Sequence, residues 1–71
     1  MGDPLPDPNP RELASEYFHR AYEHQMNGDY DQALKLYTRS IEIFPTAEAY
    51  TFRGWTYSLL GDYQRAIEEC L

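Results

Sequence analysis

Few side chains in this sequence could do chemistry, and their spacing does not assemble them into a reactive or metal-binding set. His19 and His24 are five residues apart, whereas histidines that bind one metal from a single helix face stand four apart. Glu68 and Glu69 are adjacent, so on a helix they point in different directions. The single cysteine, Cys70, has no disulfide partner within the chain, and we interpret it as a small buried filler. We therefore predict no catalytic residue, no metal site and no cofactor, and we interpret the protein as a non-enzyme.

The charge balance argues against two common classes of partner. The sequence has 12 acidic and 6 basic residues, which gives a formal net charge of -6. Nucleic-acid binding needs a concentrated basic face, and anionic membrane surfaces also attract basic segments. No apolar run reaches the roughly 18 residues of a membrane span, and the N-terminus lacks the pattern of a signal peptide. We therefore expect neither nucleic acid nor a membrane as a partner, and we expect a cytoplasmic protein.

Start and stop signals along the chain predict four helices and no β-strand. The predicted helices span residues 10–26, 30–43, 47–60 and 63–71. Asn9 is a favourable N-cap, and Pro10 suits the first helical position. Gly28 can adopt the left-handed conformation that ends a helix, and Asp29 can cap the next one. Pro45 then stops the second helix, because the residue before a proline is disfavoured in the helical region.

The third and fourth helices are predicted because the same signals recur. Thr46 can cap the third helix, Gly61 should end it, and Asp62 can cap the fourth. The sequence stops before any signal ends this last helix, which we interpret as a truncation. The predicted organisation is a Pro-rich flexible leader at 1–9, a first hairpin at 10–45 and a second hairpin at 46–71.

The sequence also repeats itself at an offset of 33 residues. The segment GDYDQA at 28–33 recurs as GDYQRA at 61–66. Aligning 14–38 with 47–71 gives seven identical pairs: Ala14/Ala47, Tyr17/Tyr50, Arg20/Arg53, Gly28/Gly61, Asp29/Asp62, Tyr30/Tyr63 and Ala33/Ala66. A period of this length indicates stacked supersecondary units.

Over residues 14–71 this repeat resembles the tetratricopeptide repeat family, which places aromatic and small residues at fixed positions of a helical hairpin and ends with a proline. The matching residues are Tyr17, Ala21, Ala33, Tyr37, Pro45, Tyr50, Gly54, Tyr57 and Ala66. The departures are Arg20 and Arg53 at usual leucine positions, His24 and Cys70 at usual aromatic positions, and Ser40 at a usual alanine position. The resemblance implies an all-α fold: an α-solenoid of two stacked antiparallel helical hairpins, the second truncated in its second helix.

Packing roles follow from the same pattern. Small residues should let paired helices approach closely: Ala21, Ala33, Gly54 and Ala66. Tyrosines should fill the volume that is left between the helices: Tyr17, Tyr37 and Tyr50. The Gly-Asp pairs should make the tight turns.

The resemblance further implies a concave groove lined by the first helix of each hairpin. Its groove-facing residues would be Ser15, Phe18, His19, Tyr22, Gln25, Met26, Glu48, Thr51, Phe52, Trp55, Ser58 and Leu59. Among them, the predicted partner-binding residues are Phe18, His19, Tyr22, Met26, Phe52, Trp55 and Leu59. The Lys and Asn residues that some family members use to clamp a terminal carboxylate are absent from these positions. A hydrophobic or Pro-rich peptide is therefore the predicted ligand, since rigid aromatics act as binding hot spots.

Two functions remain open at the level of sequence. The first is a protein–protein interaction module, a scaffold or adaptor that binds a peptide or protein segment in the aromatic-lined groove. The second is self-assembly, in which exposed hairpin faces pair with copies of the same chain and form a homo-oligomer. The second is considered because a two-hairpin solenoid leaves both of its ends uncapped, and exposed apolar area drives association.

Overall fold

Three helices build the part of the chain that the structure, a computed structural model, describes. Its backbone is described for residues 9–70 and its side chains for residues 9–61. The helices are α1 (Pro10–Met26), α2 (Tyr30–Ile43) and α3 (Ala47–Cys70). α2 packs against α1 as a helical hairpin, and α3 packs against α2 and also meets α1. The predicted all-α fold is confirmed, whereas the leader up to residue 8 lies outside the described residues.

Both ends of α1 form as the sequence predicts. The Asn9 side chain caps the helix by accepting a hydrogen bond of 2.8 Å from the Arg11 amide, and Pro10 is the first helical residue. At the other end Gly28 has a φ of 83°, in the left-handed region that favours glycine. The amides of Gly28 and Asp29 donate back to the carbonyls of Gln25 and His24 at 3.0 and 2.8 Å. This is the Schellman arrangement, which satisfies carbonyls that a helix end leaves free.

The side chain of Asp29 does not have its predicted role. Asp29 occupies the N-cap position of α2, but its carboxylate accepts no hydrogen bond from an amide of that helix. Its Oδ2 atom lies 3.1 Å from Nδ1 of His24, so the side chain bridges back across the turn. Both side chains are about half exposed, and such a pair contributes little stability.

The junction between α2 and α3 agrees with the prediction. Phe44 is extended, with a φ of -156° and a ψ of 100°, because Pro45 follows it. Thr46 then caps α3, and its Oγ1 atom accepts a hydrogen bond of 3.1 Å from the Ala49 amide.

The predicted end of the third helix at Gly61 is wrong. α3 continues without a break through Gly61 and Asp62 to Cys70, so the predicted helix at 63–71 is part of α3. Gly61 keeps a negative φ, unlike Gly28. An uninterrupted helix gains a backbone hydrogen bond with each added residue, and a turn must be offset by burial. α2 obtains that burial between α1 and α3, whereas a helix folded back at Gly61 would have α3 alone to pack on within the described residues.

Burial follows this difference between the two units. The first-unit residues Ala21, Ala33 and Tyr37 have no exposed surface and form the centre of the core. Contrary to expectation, the second-unit residues Tyr50 and Tyr57 are 50% and 54% exposed. Three predicted packing residues remain: Tyr17 is half-buried, and Gly54 and Pro45 are exposed. The physical reason for Tyr50, Tyr57 and Gly54 is that no helix among the described residues packs on this face of α3. The side chain of Ala66 lies outside the described residues.

The two arginines that depart from the family pattern make equivalent contacts. The guanidinium of Arg20 lies 5.9 Å from the ring centroid of Tyr17, and that of Arg53 lies 5.3 Å from that of Tyr50. Arg53 also donates a hydrogen bond of 3.2 Å to Thr38 of α2. A cation over an aromatic face is attracted by the quadrupole of the ring. The apolar packing of a leucine is therefore replaced by a cation–π pair in both units.

Candidate partner-binding groove

An aromatic cluster lies where α1 and α3 face each other, with Phe52 at its centre. The ring centroid of Phe52 is 5.1 Å from that of Phe18, 5.9 Å from that of Trp55 and 6.1 Å from that of Tyr22. The first two contacts are edge-to-face, a favourable geometry for aromatic pairs. We call the surface formed by Phe18, Tyr22, Phe52 and Trp55 the aromatic groove.

The floor of the aromatic groove is fixed to the core through Tyr37. The Tyr37 ring lies 5.4 Å from that of Phe18 and 6.2 Å from that of Phe52. Its hydroxyl donates a hydrogen bond of 2.6 Å to Oε1 of Gln25. Burial, with a smaller contribution from the nearby Tyr22, raises the pKa of Tyr37 to about 12. The hydroxyl therefore remains a neutral hydrogen-bond donor at physiological pH.

Gln25 does not face the groove, contrary to prediction, because its side chain is only 3% exposed. Its Oε1 atom accepts from Tyr37 and, at 3.0 Å, from the Thr56 hydroxyl, so one amide links all three helices. Its Nε2 atom has no partner in the described part of the chain, which partly offsets the stability gained. The spacing of Ala14, Ala21 and Gln25, seven and four residues, is a helix-face signal that could have identified this burial.

The predicted partner-binding residues differ in their exposure and in their contacts. Tyr22, Met26 and Trp55 are 40%, 54% and 48% exposed. Phe18, Phe52 and Leu59 are half-buried, and His19 is exposed with its ring edge-on to Phe18 at 5.9 Å. Ring contacts thus join the four residues of the aromatic groove and extend to His19.

A cavity of about 200 Å³, whose wall is mainly apolar but includes charged and hydroxyl groups, adjoins the aromatic groove at Phe18. Its lining residues are Arg11, Ala14, Ser15, Phe18, His19, Ser40, Thr46 and Glu48. Sequence analysis placed Ser15 and Glu48 at the groove but missed Arg11 and Thr46. The signal for Arg11 is its spacing of four and seven residues from Ser15 and Phe18, which puts all three on one face of α1. The site therefore combines an apolar platform with charged and hydroxyl groups at one end.

Two further observations concern only the part of the chain that the structure describes. No cluster of three or more His, Cys, Asp or Glu side chains there could hold a metal ion. No helix within it is long and apolar enough to cross a membrane.

Comparison with known proteins identifies the family. The sequence profile described as tetratricopeptide repeat matches residues 12–69. The chain belongs to the tetratricopeptide repeat family. Repeats of this family generally act as protein–protein interaction modules, so the class of function is binding.

Curated relatives of this tetratricopeptide repeat chain include sperm-associated antigen 1 of Rattus norvegicus and of Mus musculus. Each is 41% identical over 44 residues, which is 62% of this chain. The matched segment is 5% of the length of these relatives. No solved structure matches the chain significantly.

Proposed function

We propose that this tetratricopeptide repeat chain binds an apolar or Pro-rich peptide segment of another protein in the aromatic groove. One observation carries the proposal. Trp55 and Tyr22 expose 48% and 40% of their surface although both rings contact the half-buried Phe52. Phe52 thus orders the rings of Trp55 and Tyr22 by contact, while a large part of each ring remains exposed to solvent.

This arrangement suits a peptide ligand for energetic reasons. Aromatic side chains bury a large area and lose little conformational entropy, and they are enriched among interface hot spots. Contacts with Phe52 already order Trp55 and Tyr22, so less entropy is lost on binding. A Pro-rich segment is also preorganised, because its polyproline II conformation exists before it docks between aromatic rings.

The charged and hydroxyl groups of the adjoining cavity would fix the orientation of the bound peptide. Arg11 and Glu48 bring opposite charges to its wall, and Ser15 adds a hydroxyl. A peptide whose apolar residues lie on the aromatic groove would place a polar group in this cavity, and the reverse orientation would not. Such polar complementarity contributes to specificity more than to affinity.

Binding of labelled peptides tests the proposal. Fluorescein-labelled Pro-rich and aromatic peptides, with charge-matched Gly/Ser peptides as the reference, are titrated with the 71-residue chain. We expect Trp55→Ala to weaken binding of the selected peptides at least about 10-fold, the scale of a hot-spot residue. Tyr57→Ala is the matched control, because Tyr57 is a comparably exposed aromatic of the same helix outside the groove. Unchanged binding by Trp55→Ala, or equal losses in both variants, would contradict the proposal.

A further inference from the structure

Three arginines of this chain lie over aromatic rings, and all three rings are outside the aromatic groove. The guanidinium carbon of Arg11 is 5.1 Å from the ring centroid of Phe44. Arg20 and Arg53 lie over tyrosine rings in the same way, at 5.9 and 5.3 Å. A guanidinium within about 6 Å of a ring centroid is attracted by the face of the ring. The chain therefore uses arginine–aromatic contacts repeatedly within its own fold.

The rings of the aromatic groove have no such cation. Within residues 9–61, no arginine or lysine lies over the ring of Phe18, Tyr22, Phe52 or Trp55. Trp55 and Tyr22 nevertheless expose 48% and 40% of their surface. An aromatic ring carries negative charge on its face, and tryptophan attracts a cation most strongly. The groove therefore presents two accessible rings to a positive group from outside the molecule.

The angles between the rings suit a planar cation. The plane of Trp55 stands at 79° to that of Phe52, and the plane of Tyr22 stands at 58° to it. At these angles neither exposed ring is stacked flat on Phe52, so a planar group of a ligand can stack there instead. A guanidinium is planar and is more weakly hydrated than an ammonium group. Arginine therefore loses less hydration than lysine when it contacts these rings.

The charge of the chain also favours a cationic ligand. The 12 acidic and 6 basic residues give a formal net charge of -6. Such an excess attracts positive segments over a distance. This attraction is not specific to one site, whereas contact with a ring acts only at short range. Salt can separate the two effects, because it screens distant charges most strongly.

We propose that the peptide bound in the aromatic groove presents an arginine whose guanidinium lies against the rings of Trp55 and Tyr22. This inference rests on the proposed function and specifies the class of ligand, an apolar or Pro-rich segment that contains arginine. The apolar residues of the segment contact the half-buried Phe18 and Phe52, and the arginine contacts the exposed rings. Arginine thus distinguishes this ligand class from segments that are apolar throughout.

Peptides that differ only in charge test the proposal. Two fluorescein-labelled Pro-rich peptides carry either arginine or citrulline at the central position, since citrulline has nearly the same shape and no charge. Both are titrated with the 71-residue chain by fluorescence anisotropy at about 1 M NaCl, where the screening length is about 3 Å. We expect the arginine peptide to bind about 3- to 10-fold more tightly, the scale of one cation–π contact.

Variants connect this preference to the rings. Trp55→Phe keeps an aromatic face and should retain a preference for arginine, whereas Trp55→Leu keeps only apolar bulk and should reduce the ratio of affinities to less than about 2. Tyr22→Leu should reduce the ratio as well, and it decides the matter if Trp55→Leu binds both peptides too weakly to measure. Tyr57→Leu is the matched control, because Tyr57 is a comparably exposed aromatic of α3 outside the groove, and it should keep the wild-type ratio.

The outcomes distinguish this inference from the proposed function. Equal binding of both peptides to wild type, with the loss expected in Trp55→Ala, would overturn the role of arginine and leave the groove as a peptide site. A wild-type ratio in both leucine variants of the groove, Trp55→Leu and Tyr22→Leu, would overturn it too. If neither peptide binds wild type, the proposed function fails and this inference fails with it.

Discussion

α1 and α3 carry matching residues, yet among the described residues only α1 has its matching face covered. Ala21 of α1 has no exposed surface, whereas its match in α3, Gly54, is open to solvent. Tyr17 is half-buried, and its match Tyr50 is 50% exposed. Since the positions are equivalent, the difference comes from what packs on each helix rather than from the pattern itself.

The turn explains the difference. Gly28 adopts a φ of 83° and reverses the chain, which brings α2 onto α1. Gly61 occupies the matching position and stays helical, so α3 extends to Cys70, and its face at Tyr50, Gly54 and Tyr57 is exposed among the described residues. A Gly-Asp pair permits a reversal, and the burial gained by the returning helix decides whether it occurs.

The largest expected effect comes from placing the same charge at the two matching small positions. Ala21→Glu should destabilise the fold by more than about 3 kcal/mol, because it buries an unpaired carboxylate in the core. Gly54→Glu should change the free energy of unfolding by no more than about 1 kcal/mol, and in the stabilising direction, since glutamate is the better helix former. Thermal and urea unfolding at monomeric concentrations measure both. Similar losses in the two variants would mean that α3 is covered as α1 is.

A second, smaller effect separates the buried tyrosine of the core from the exposed tyrosines of α3. The pKa of Tyr37 is raised from its ordinary value of 10.0 to about 12, so above pH 10 the unfolded chain loses this proton first. The associated stability is complete below pH 10 and is lost as the pH rises to about 12, a total of roughly 2 to 3 kcal/mol.

Urea unfolding at a series of pH values from neutral into this alkaline range measures the loss. Tyr37→Phe should be less stable than wild type near neutrality, since it lacks the hydrogen bond to Gln25, but its stability should fall less steeply above pH 10. Tyr57→Phe should keep the wild-type slope, because Tyr57 is exposed. If the stability of wild type and of Tyr37→Phe fell equally steeply above pH 10, the raised pKa of Tyr37 would be contradicted.

The smallest effect should have opposite signs at the two matching glycines. Gly28→Ala should cost about 1 to 2 kcal/mol, because alanine is strained at a positive φ. Gly61→Ala should stabilise the chain by about 0.5 to 1 kcal/mol, because it removes a flexible residue from a helix interior. Circular dichroism during thermal unfolding reports both changes. A loss of stability in Gly61→Ala would indicate a turn at that position and would contradict a continuous α3.

Much of the fold was predictable because it depends on local chemistry. The cap at Asn9, the reversal at Gly28 and the extended residue before Pro45 each follow from what a single residue allows. The aromatic groove was predictable in part, because helical spacing places Phe18 and Tyr22 on one face. The burial of Gln25 was missed, since it depends on hydroxyl groups of Tyr37 and Thr56 from two other helices.

By itself, the sequence determined the helix class, the first hairpin and the family, because caps, breakers and a repeat at an offset of 33 are local or periodic properties. Only the tertiary structure decided which copy of the repeated pattern is buried. Packing between helices depends on the whole set of neighbours, so identical signals at Gly28 and Gly61 give a turn in one unit and a continuous helix in the other. Ala21 is buried and Gly54 is exposed for this reason.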